Sequence, residues 1–442
     1  MTTIAQILEQ ATPLVSPSPK QVARMTALAD SLLRKTNLAA SKYPETRGAL
    51  LGGSFAKGTW IPKHVDLDIF VRVDPSASKE RFEEVGLAIG AAATTGYPRG
   101  KKYAEHPYTE ALVEGVRVNI VPCYAVEPKK WMSAADRSPF HVDLVKGLSG
   151  ETKTQVRLLK GFMQAVGVYG AEIETQGFSG YVAEVLTMTH GNLEKVLRWF
   201  AGFSPASEER MFHLPDPVDE GRDLGIAVSH EKLGRMVLAS RDFLRSPRRA
   251  YFVSPTGRPR PEMKQSVVAL IFSHRRLSED TLWGELRRTM KHVVRHLEVN
   301  GFRIARSMAA SNNLDRSAIL IIPELSDLPE LEQRIGPTVD RRKDVEAFLD
   351  SGRKASRLIW VDEDARVRFL RTRRYRKVRD LLEDLSKGRV GPVGASKELE
   401  KAMRKSGVVL EGRSLERAAR ASSWLMDGLH EITTDALGTR AA

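Results

Sequence analysis

Cysteine is nearly absent from this sequence: Cys123 stands alone among 442 residues. No disulfide can form within the chain, and no cysteine-based zinc site can be built. Such a chain suits a reducing compartment, so a cytoplasmic location is expected. The ten histidines show no HExxH or similar ligand spacing, which argues against a zinc enzyme. Long apolar runs are missing as well. Stretches such as Val267–Phe272 and Ala318–Ile322 are far too short to span a bilayer. Met1–Lys20 has no basic start followed by an apolar block, so no secretory signal is expected there. No internal repeat and no long low-complexity tract is present.

Negative charge is scarce relative to positive. There are 69 Lys and Arg against 55 Asp and Glu, a formal net charge of +14. A surplus of this size favours a polyanionic partner, because each neutralised phosphate releases counterions. With no candidate span, a membrane falls behind nucleic acid as that partner. A basic protein that binds neither is the plain alternative on charge alone.

The length suggests two to four domains. Residues 19–40 read as an amphipathic helix, and 48–73 as strand text around a Gly/Ser turn. Residues 111–124 read as a strand pair, with Val116, Val118 and Ile120 alternating. From 151 to 200 the pattern is helical. Val156, Leu159, Phe162, Met163 and Val166 share one face, and Lys153, Arg157 and Lys160 the opposite one. Pro255–Pro261 (PTGRPRP) is the clearest linker candidate. Beyond it Ser266–Phe272 reads as a strand, Thr281–Val299 as a helix and Ser317–Ile322 as a strand, with a helical region over 396–436. The pattern predicts an α+β fold.

The most informative stretch is Gly52–Phe70, GGSFAKGTWIPKHVDLDIF. A Gly-Gly-Ser turn leaves backbone N–H groups free to approach a triphosphate closely. Ser54 can add a hydroxyl and Lys57 a charge. Asp66 and Asp68 follow at i and i+2, so in a strand both point to one face. Two adjacent carboxylates repel unless they share a cation or a proton. Facing a phosphate-binding turn, they suit metal-assisted phosphoryl transfer. A lone DxD is usually a solvated pair and a lone GGS only a turn. Their order here resembles the nucleotidyltransferase superfamily that includes polymerase β. Such a site usually takes a third carboxylate from a neighbouring strand. In Gly115–Tyr124 (GVRVNIVPCY) the pair facing the site is Arg117 and Asn119, and Asn119 stands where the aspartate is expected. Its carbonyl can ligate a metal but carries no charge.

Further motifs extend the resemblance. AEHPY (Ala104–Tyr108), VPCY (Val121–Tyr124) and DRSPFH (Asp136–His141) look like the head of archaeal-type (class I) CCA-adding enzymes, which are tRNA nucleotidyltransferases. RLLKGF (Arg157–Phe162), YGAEI (Tyr169–Ile173) and GFSGY (Gly177–Tyr181) resemble their central domain. DPVDEGRDLGIAVS (Asp216–Ser229) is similar to the segment that closes over the incoming base. NGF (Asn300–Phe302) and GPTVDRRKDVEAFL (Gly336–Leu349) resemble the tail.

The resemblance implies template-independent addition of C, C and A to the 3′ end of tRNA from CTP and ATP. It implies Mg2+ as cofactor, held by Asp66, Asp68 and Asn119. It places Gly53, Ser54, Lys57, His141, Lys160, Tyr169 and Arg222 around the nucleotide. The expected architecture is a polymerase-β-like nucleotidyltransferase head (1–145), a helical central domain (146–254), an RRM- or ferredoxin-like α+β body (262–395) and a C-terminal helical segment (396–442). A homodimer is left open.

Plainer roles stand beside these. Lys160 can be one charge on a solvated helix face, Tyr169 a core aromatic, His141 a packing histidine, and Arg222 a partner of Asp219. Lys57 replaces the family's loop arginine, and Asp223 replaces an asparagine after Arg222. Asn119 admits a slower enzyme, one that recruits Glu105 or Glu114, or a degenerate or partial (CC-only or A-only) RNA-binding homologue. A cyclic-oligonucleotide synthase would share the GGS and DxD signal without the later motifs.

Arg371–Arg379 (RTRRYRKVR) interleaves basic residues with Tyr375, which suits RNA. Arg371, Arg373, Arg374, Tyr375 and Arg376 are the expected contacts. The helix face of Arg287, Arg288, Lys291 and Arg295 is a second candidate.

Overall fold

The computed structural model describes residues 2–62, 65–204, 212–253 and 267–433. The chain forms two compact units, one drawn from residues up to Pro259 and one from Arg260 to Thr434. The expected linker Pro255–Pro261 and the residue Ser266 lie outside the described residues.

The first unit opens with helices α1 (Ile4–Val15) and α2 (Pro19–Ala40). Both start on capping boxes, Thr3 with Gln6 and Ser18 with Gln21. A mixed sheet follows. Its strands are β1 (Thr46–Gly52), β2 (Asp66–Val73), β3 (Arg99–Tyr103), β4 (Pro107–Val113) and β5 (Val116–Tyr124), in the order β1-β2-β5-β4-β3. Two helices interrupt the strands: the short α3 (Gly53–Lys57) after β1 and α4 (Lys79–Ala93) after β2. β2 and β5 pair in parallel and the other neighbours antiparallel. The β4–β5 turn has two residues, Glu114 and Gly115, both at positive φ, as a tight hairpin requires.

Alternation decides which face of this sheet is wet. Leu67, Ile69, Val71, Val118 and Ile120 are fully buried with Leu28 and Leu32 of α2 and Val85 and Ile89 of α4. Asp66, Asp68, Arg117 and Asn119, at the intervening positions, must then take the opposite face.

Helices α5 (Ser138–Lys146), α6 (Gly150–Val166), α7 (Gly180–His190), α8 (Leu193–Gly202) and α9 (His230–Arg245) complete the unit. The last four share an aromatic core that includes Phe162, Phe178, Phe200 and Phe243. Ile7, Ala11 and Val15 of α1 pack into that core. The N-terminal helix, within the 1–145 expected as the head, therefore packs with the helical part.

In the second unit β6 (Val268–Ser273), α10 (Glu279–Val299), β7 (Ile304–Ser311) and β8 (Arg316–Pro323) come first. Then come β9 (Leu331–Thr338), α11 (Arg342–Gly352), β10 (Ser356–Val361) and β11 (Arg366–Thr372), which form a separate sheet in the order β10-β11-β9 with its helix. α12 (Val378–Ser386), α13 (Lys397–Ser406), β12 (Val408–Glu411), α14 (Gly412–Arg420) and α15 (Ser423–Thr433) close the unit. The main sheet is antiparallel in the order β12-β6-β8-β7. That is the split β-α-β order of a ferredoxin-like fold, with β9 to β11 inserted. The tail, expected as a helical segment, carries α13, α14 and α15 and also supplies the short strand β12.

Both faces of the main sheet are covered. Leu286 and Val293 of α10 and Leu381 of α12 lie on one side, and Leu415, Leu425 and Leu429 of α14 and α15 on the other. Strands buried on both faces carry continuous apolar text rather than alternation. This is why Val267–Phe272 and Ala318–Ile322 are unbroken runs.

Candidate active site

Four acids organise the polar side chains of the first unit, and only two of them belong to the DxD pair. The pair itself sits at the start of β2. Gly52 is the cross-strand partner of Asp68. Gly53 follows at φ 61, and a Cβ there would lie 1.9 Å from Asp68 Oδ2. The turn thus needs glycine twice over, for its backbone angle and for the space the carboxylate occupies. Ser54, on the first turn of α3, is half-buried and accepts the Thr59 N–H through its carbonyl at 3.0 Å.

β5 lies alongside in register, Arg117 opposite Asp66 and Asn119 opposite Asp68. Asn119 Nδ2 donates to Asp68 Oδ1 at 2.9 Å. Burial raises the Asp68 carboxyl above its ordinary range, and the nearby Asp66 adds to this, while the Asn119 amide opposes it. Asn119 Oδ1 is buried with no hydrogen-bond partner. A divalent cation fits this donor set: two carboxylates on one strand face, an unsatisfied amide oxygen beside them, and a glycine cradle that keeps the space open. Among the described residues no three Asp, Glu, His or Cys side chains converge as metal ligands.

The third acid is Glu184, on α7 and fully buried. Lys57 Nζ and Lys160 Nζ each approach it to 2.8 Å, and the Thr59 hydroxyl donates to it. Burial alone would raise its pKa, but Lys160 and Lys57 outweigh that and hold it at about 2. Lys160 is 1% exposed, so the view of it as a charge on a solvated face is corrected. Arg157 also turns inward and donates to the Gly58 carbonyl at 2.8 Å. Tyr169 stands near this cluster: a Cβ on Gly180 would lie 2.7 Å from its hydroxyl and 3.5 Å from Lys160 Nζ.

The fourth acid, Asp216, is also fully buried. It pairs with His141 Nε2 at 3.1 Å and Arg222 Nη1 at 3.2 Å, and accepts the Tyr181 hydroxyl at 2.9 Å. Burial disfavours its charge, yet His141 and the Val218 N–H hold its pKa well below the ordinary range. Burial lowers the His141 pKa against the pull of Asp216. The His141 ring stacks on Tyr181, with centroids 3.8 Å apart. The plainer pairing of Arg222 with Asp219 is corrected: Asp219 takes Arg137 at 2.7 Å, and Arg222 goes to Asp216. Asp223 accepts the Leu214 and Gly225 N–H groups, so its carboxylate braces the loop around Arg222.

Sequence reasoning brings out the DxD pair, Asn119, Lys57, Lys160, His141 and Arg222. It misses Glu184, Asp216 and Tyr181, which hold the last four, and Asp136. Asp136 is buried at the end of β5 and accepts the backbone N–H groups of Tyr124, Met132 and Ser133. The available signal was an acid inside an apolar helical pattern, Glu184 between Ala183 and Val185. Cys123 is no nucleophile, since burial pushes its thiol up to about 12.

The basic run divides differently. Tyr375 is 6% exposed in the core of the second unit and donates to Asp384 at 2.7 Å. It has no free face for a base, which corrects the expectation that it stacks on RNA. Arg371 and Arg373 both pair with Glu332, at 2.8 and 3.1 Å. Arg374 and Arg376 are exposed. On α10 Arg288, Lys291 and Arg295 are exposed and Arg287 is half-buried.

Family models cover most of the chain in sequence order. The nucleotidyltransferase domain matches 34–141, the second domain of tRNA nucleotidyltransferase matches 154–253, and the C-terminal domain of CCA-adding enzymes matches 264–412. The CCA-adding enzyme of Pyrobaculum islandicum is 33% identical over 402 residues, 88% of this chain and 95% of its own. That of Pyrobaculum neutrophilum is 31% identical over 86% of this chain and 94% of its own. That of Archaeoglobus fulgidus is 31% identical over 79% of this chain and 83% of its own. Agreement of this length, with the paired aspartates of β2 set against the Gly53 turn, places the chain in the family of archaeal-type CCA-adding enzymes, the tRNA nucleotidyltransferases.

Proposed function

We propose that this chain adds C, C and A in turn to the 3′ end of tRNA, with CTP and ATP as substrates and Mg2+ as the ion. The observation that carries the reading is the placement of Asp66 and Asp68 on one face of β2, against the Gly53 turn. In the reaction the tRNA 3′-hydroxyl attacks the α-phosphate and pyrophosphate leaves. Asp66, Asp68 and Asn119 Oδ1 would hold the divalent ion, which would supply Lewis-acid stabilisation of the reacting oxygens. The chain's own groups bind and orient. Gly53 and Ser54 meet the triphosphate. Arg222, braced by Asp216 and by its loop, offers a planar fork to the acceptor edge of the base. His141 keeps Asp216 in place for Arg222. Tyr169 flanks the nucleotide beside Lys160. Glu184 offsets one of the two positive charges of Lys57 and Lys160, so the pair keeps a net positive charge as the floor beneath the nucleotide.

The domain reading is a head within 1–145 whose first helix joins the central domain (146–254), and a body and tail from 262 onward. Arg374, Arg376 and the exposed residues of α10 are the proposed tRNA phosphate contacts. A cytoplasmic location follows from the substrate.

The test offers purified protein and Mg2+ to tRNAs lacking the last three, two or one nucleotides, each with labelled CTP or ATP. Ordered addition of C, C and A is expected. Tight tRNA binding with no extension would overturn the reading in favour of a non-catalytic homologue, and extension by C alone or A alone in favour of a partial enzyme. Agreement with CCA-adding enzymes over most of the chain does not favour either alternative.

A further inference from the structure

β5 presents donors, not acids, to the two aspartates of the centre. Arg117 Nε lies 3.8 Å from Asp66 Oδ1, and the Asn119 amide bonds Asp68. The Arg117 side chain is 59% exposed on the open face of the sheet. Its other acidic neighbour is Glu110 of β4, at 3.9 Å. Glu110 is the cross-strand partner of Asn119, so it occupies the row in which a third carboxylate would be sought. Lys102 lies 3.8 Å from it, however, and offsets its charge. The two acids raised from the sequence are placed elsewhere. Glu105 accepts the Ala134 N–H at 2.6 Å, and Glu114 sits in the β4–β5 turn.

Charge balance then limits how many ions the centre can hold. A two-ion phosphoryl-transfer centre sets both ions against several carboxylates. Here two aspartates face a resident guanidinium, and a second divalent ion would add to a positive charge already in place. Like charges at this range repel, and water at the exposed guanidinium moderates that repulsion without removing it. One ion together with Arg117 restores the balance that two ions have with three carboxylates.

We infer that this centre works with a single divalent ion, at Asp66, Asp68 and Asn119 Oδ1, and that the Arg117 guanidinium is the second positive charge beside it. The inference rests on the functional reading above for what the site binds. A guanidinium stays charged at any working pH, and its fork matches phosphate oxygens. It can steady the negative charge that builds on the reacting oxygens. Glu110, on β4 across β5 from Asp66, flanks the same Nε at 3.9 Å, so Glu110 is a positioning residue.

Two measurements decide this. Manganese(II) is titrated into the full chain with a non-hydrolysable CTP analogue, and bound ions are counted by electron paramagnetic resonance. One ion per chain is expected, and two in the double variant Arg117→Gln/Asn119→Asp. Two ions, or none, in the unaltered chain would overturn the inference. In the second measurement Arg117→Gln lowers kcat for extension on the order of 10²-fold with KM little changed, and Arg117→Lys recovers part of the loss. An unchanged kcat in Arg117→Gln would also overturn it. Ion counting needs no tRNA extension. A chain that binds one ion but extends nothing therefore refutes the functional reading, whereas a count of two refutes this inference alone, and a count of none refutes both.

Discussion

Tyr181 and Glu184 lie three residues apart on α7 and join two buried charge clusters through one helix face. Glu184 collects Lys57, Lys160 and Thr59. Tyr181 lies 4.7 Å from Lys57 Nζ across its ring and donates its hydroxyl to Asp216. The glycine-turn helix that follows β1 is thereby tied to the loop that carries Arg222.

Replacing Glu184 leaves two ammonium groups buried without their counter-charge. Glu184→Gln is expected to cost about 3–5 kcal/mol of stability, the usual range for breaking a buried ion cluster from one side. Urea unfolding measures it. A cost below about 1 kcal/mol would mean that water reaches the site and the cluster is not buried in solution.

The same acid fixes the sign of the pH response. Its pKa falls from an ordinary 4.5 to about 2 on folding, so the unfolded chain binds the proton more readily. The stabilisation is complete above about pH 5 and disappears as pH falls toward about 2. Asp216, whose pKa is also lowered, adds to the loss in the same direction. Unfolding free energies measured across this window should fall less steeply in Glu184→Gln than in the unaltered chain. Parallel slopes would assign the acid sensitivity to other carboxylates.

Gly53→Ala combines a strained backbone with a clash against Asp68. The positive φ alone costs roughly 1–3 kcal/mol. Displacement of the Asp68 carboxylate should reduce extension far more than the lowered melting temperature explains. Asp68→Asn, which keeps the shape, should reduce extension by at least on the order of 10²-fold with a near-normal melting temperature. Retained turnover in Asp68→Asn would remove this carboxylate from the centre.

Tyr375→Phe and Arg374→Glu/Arg376→Glu separate structure from RNA binding. The first removes a hydrogen bond worth about 1 kcal/mol and should leave tRNA affinity alone. The second should weaken tRNA binding without sequence preference and lower the salt dependence by roughly one unit for each phosphate left without its arginine. A salt titration of binding affinity distinguishes them, and unchanged affinity in the double variant would assign tRNA binding to another surface.

Much of this was legible in the sequence wherever one face of an element is wet. β2 and β5 alternate, so the facing pairs Asp66 with Asp68 and Arg117 with Asn119 follow from spacing alone. α10 shows its buried and basic faces for the same reason. Partnership across the fold was not legible. Lys160 reads as a surface charge because its partner, Glu184, arrives from another helix. Tyr375 reads as a stacking residue because nothing local reveals that the second unit closes over it. β10 escapes notice for a physical reason: most of its residues are exposed, so it carries no burial signal. β12 is only four residues long and lies between two helices.

That short strand sets the order in which the second unit can be completed. β12 pairs with β6, the first strand of the sheet, although nearly the whole unit separates them in sequence. During synthesis β6 emerges early and must wait, with a bare edge, until Val408–Glu411 leaves the ribosome. A chain interrupted before Val408 also lacks α14 and α15, so one apolar sheet face stays uncovered. Bare edges and uncovered faces invite strand-to-strand association between chains. The C-terminal stretch therefore completes the second unit: until it docks, one sheet edge and one apolar face stay open.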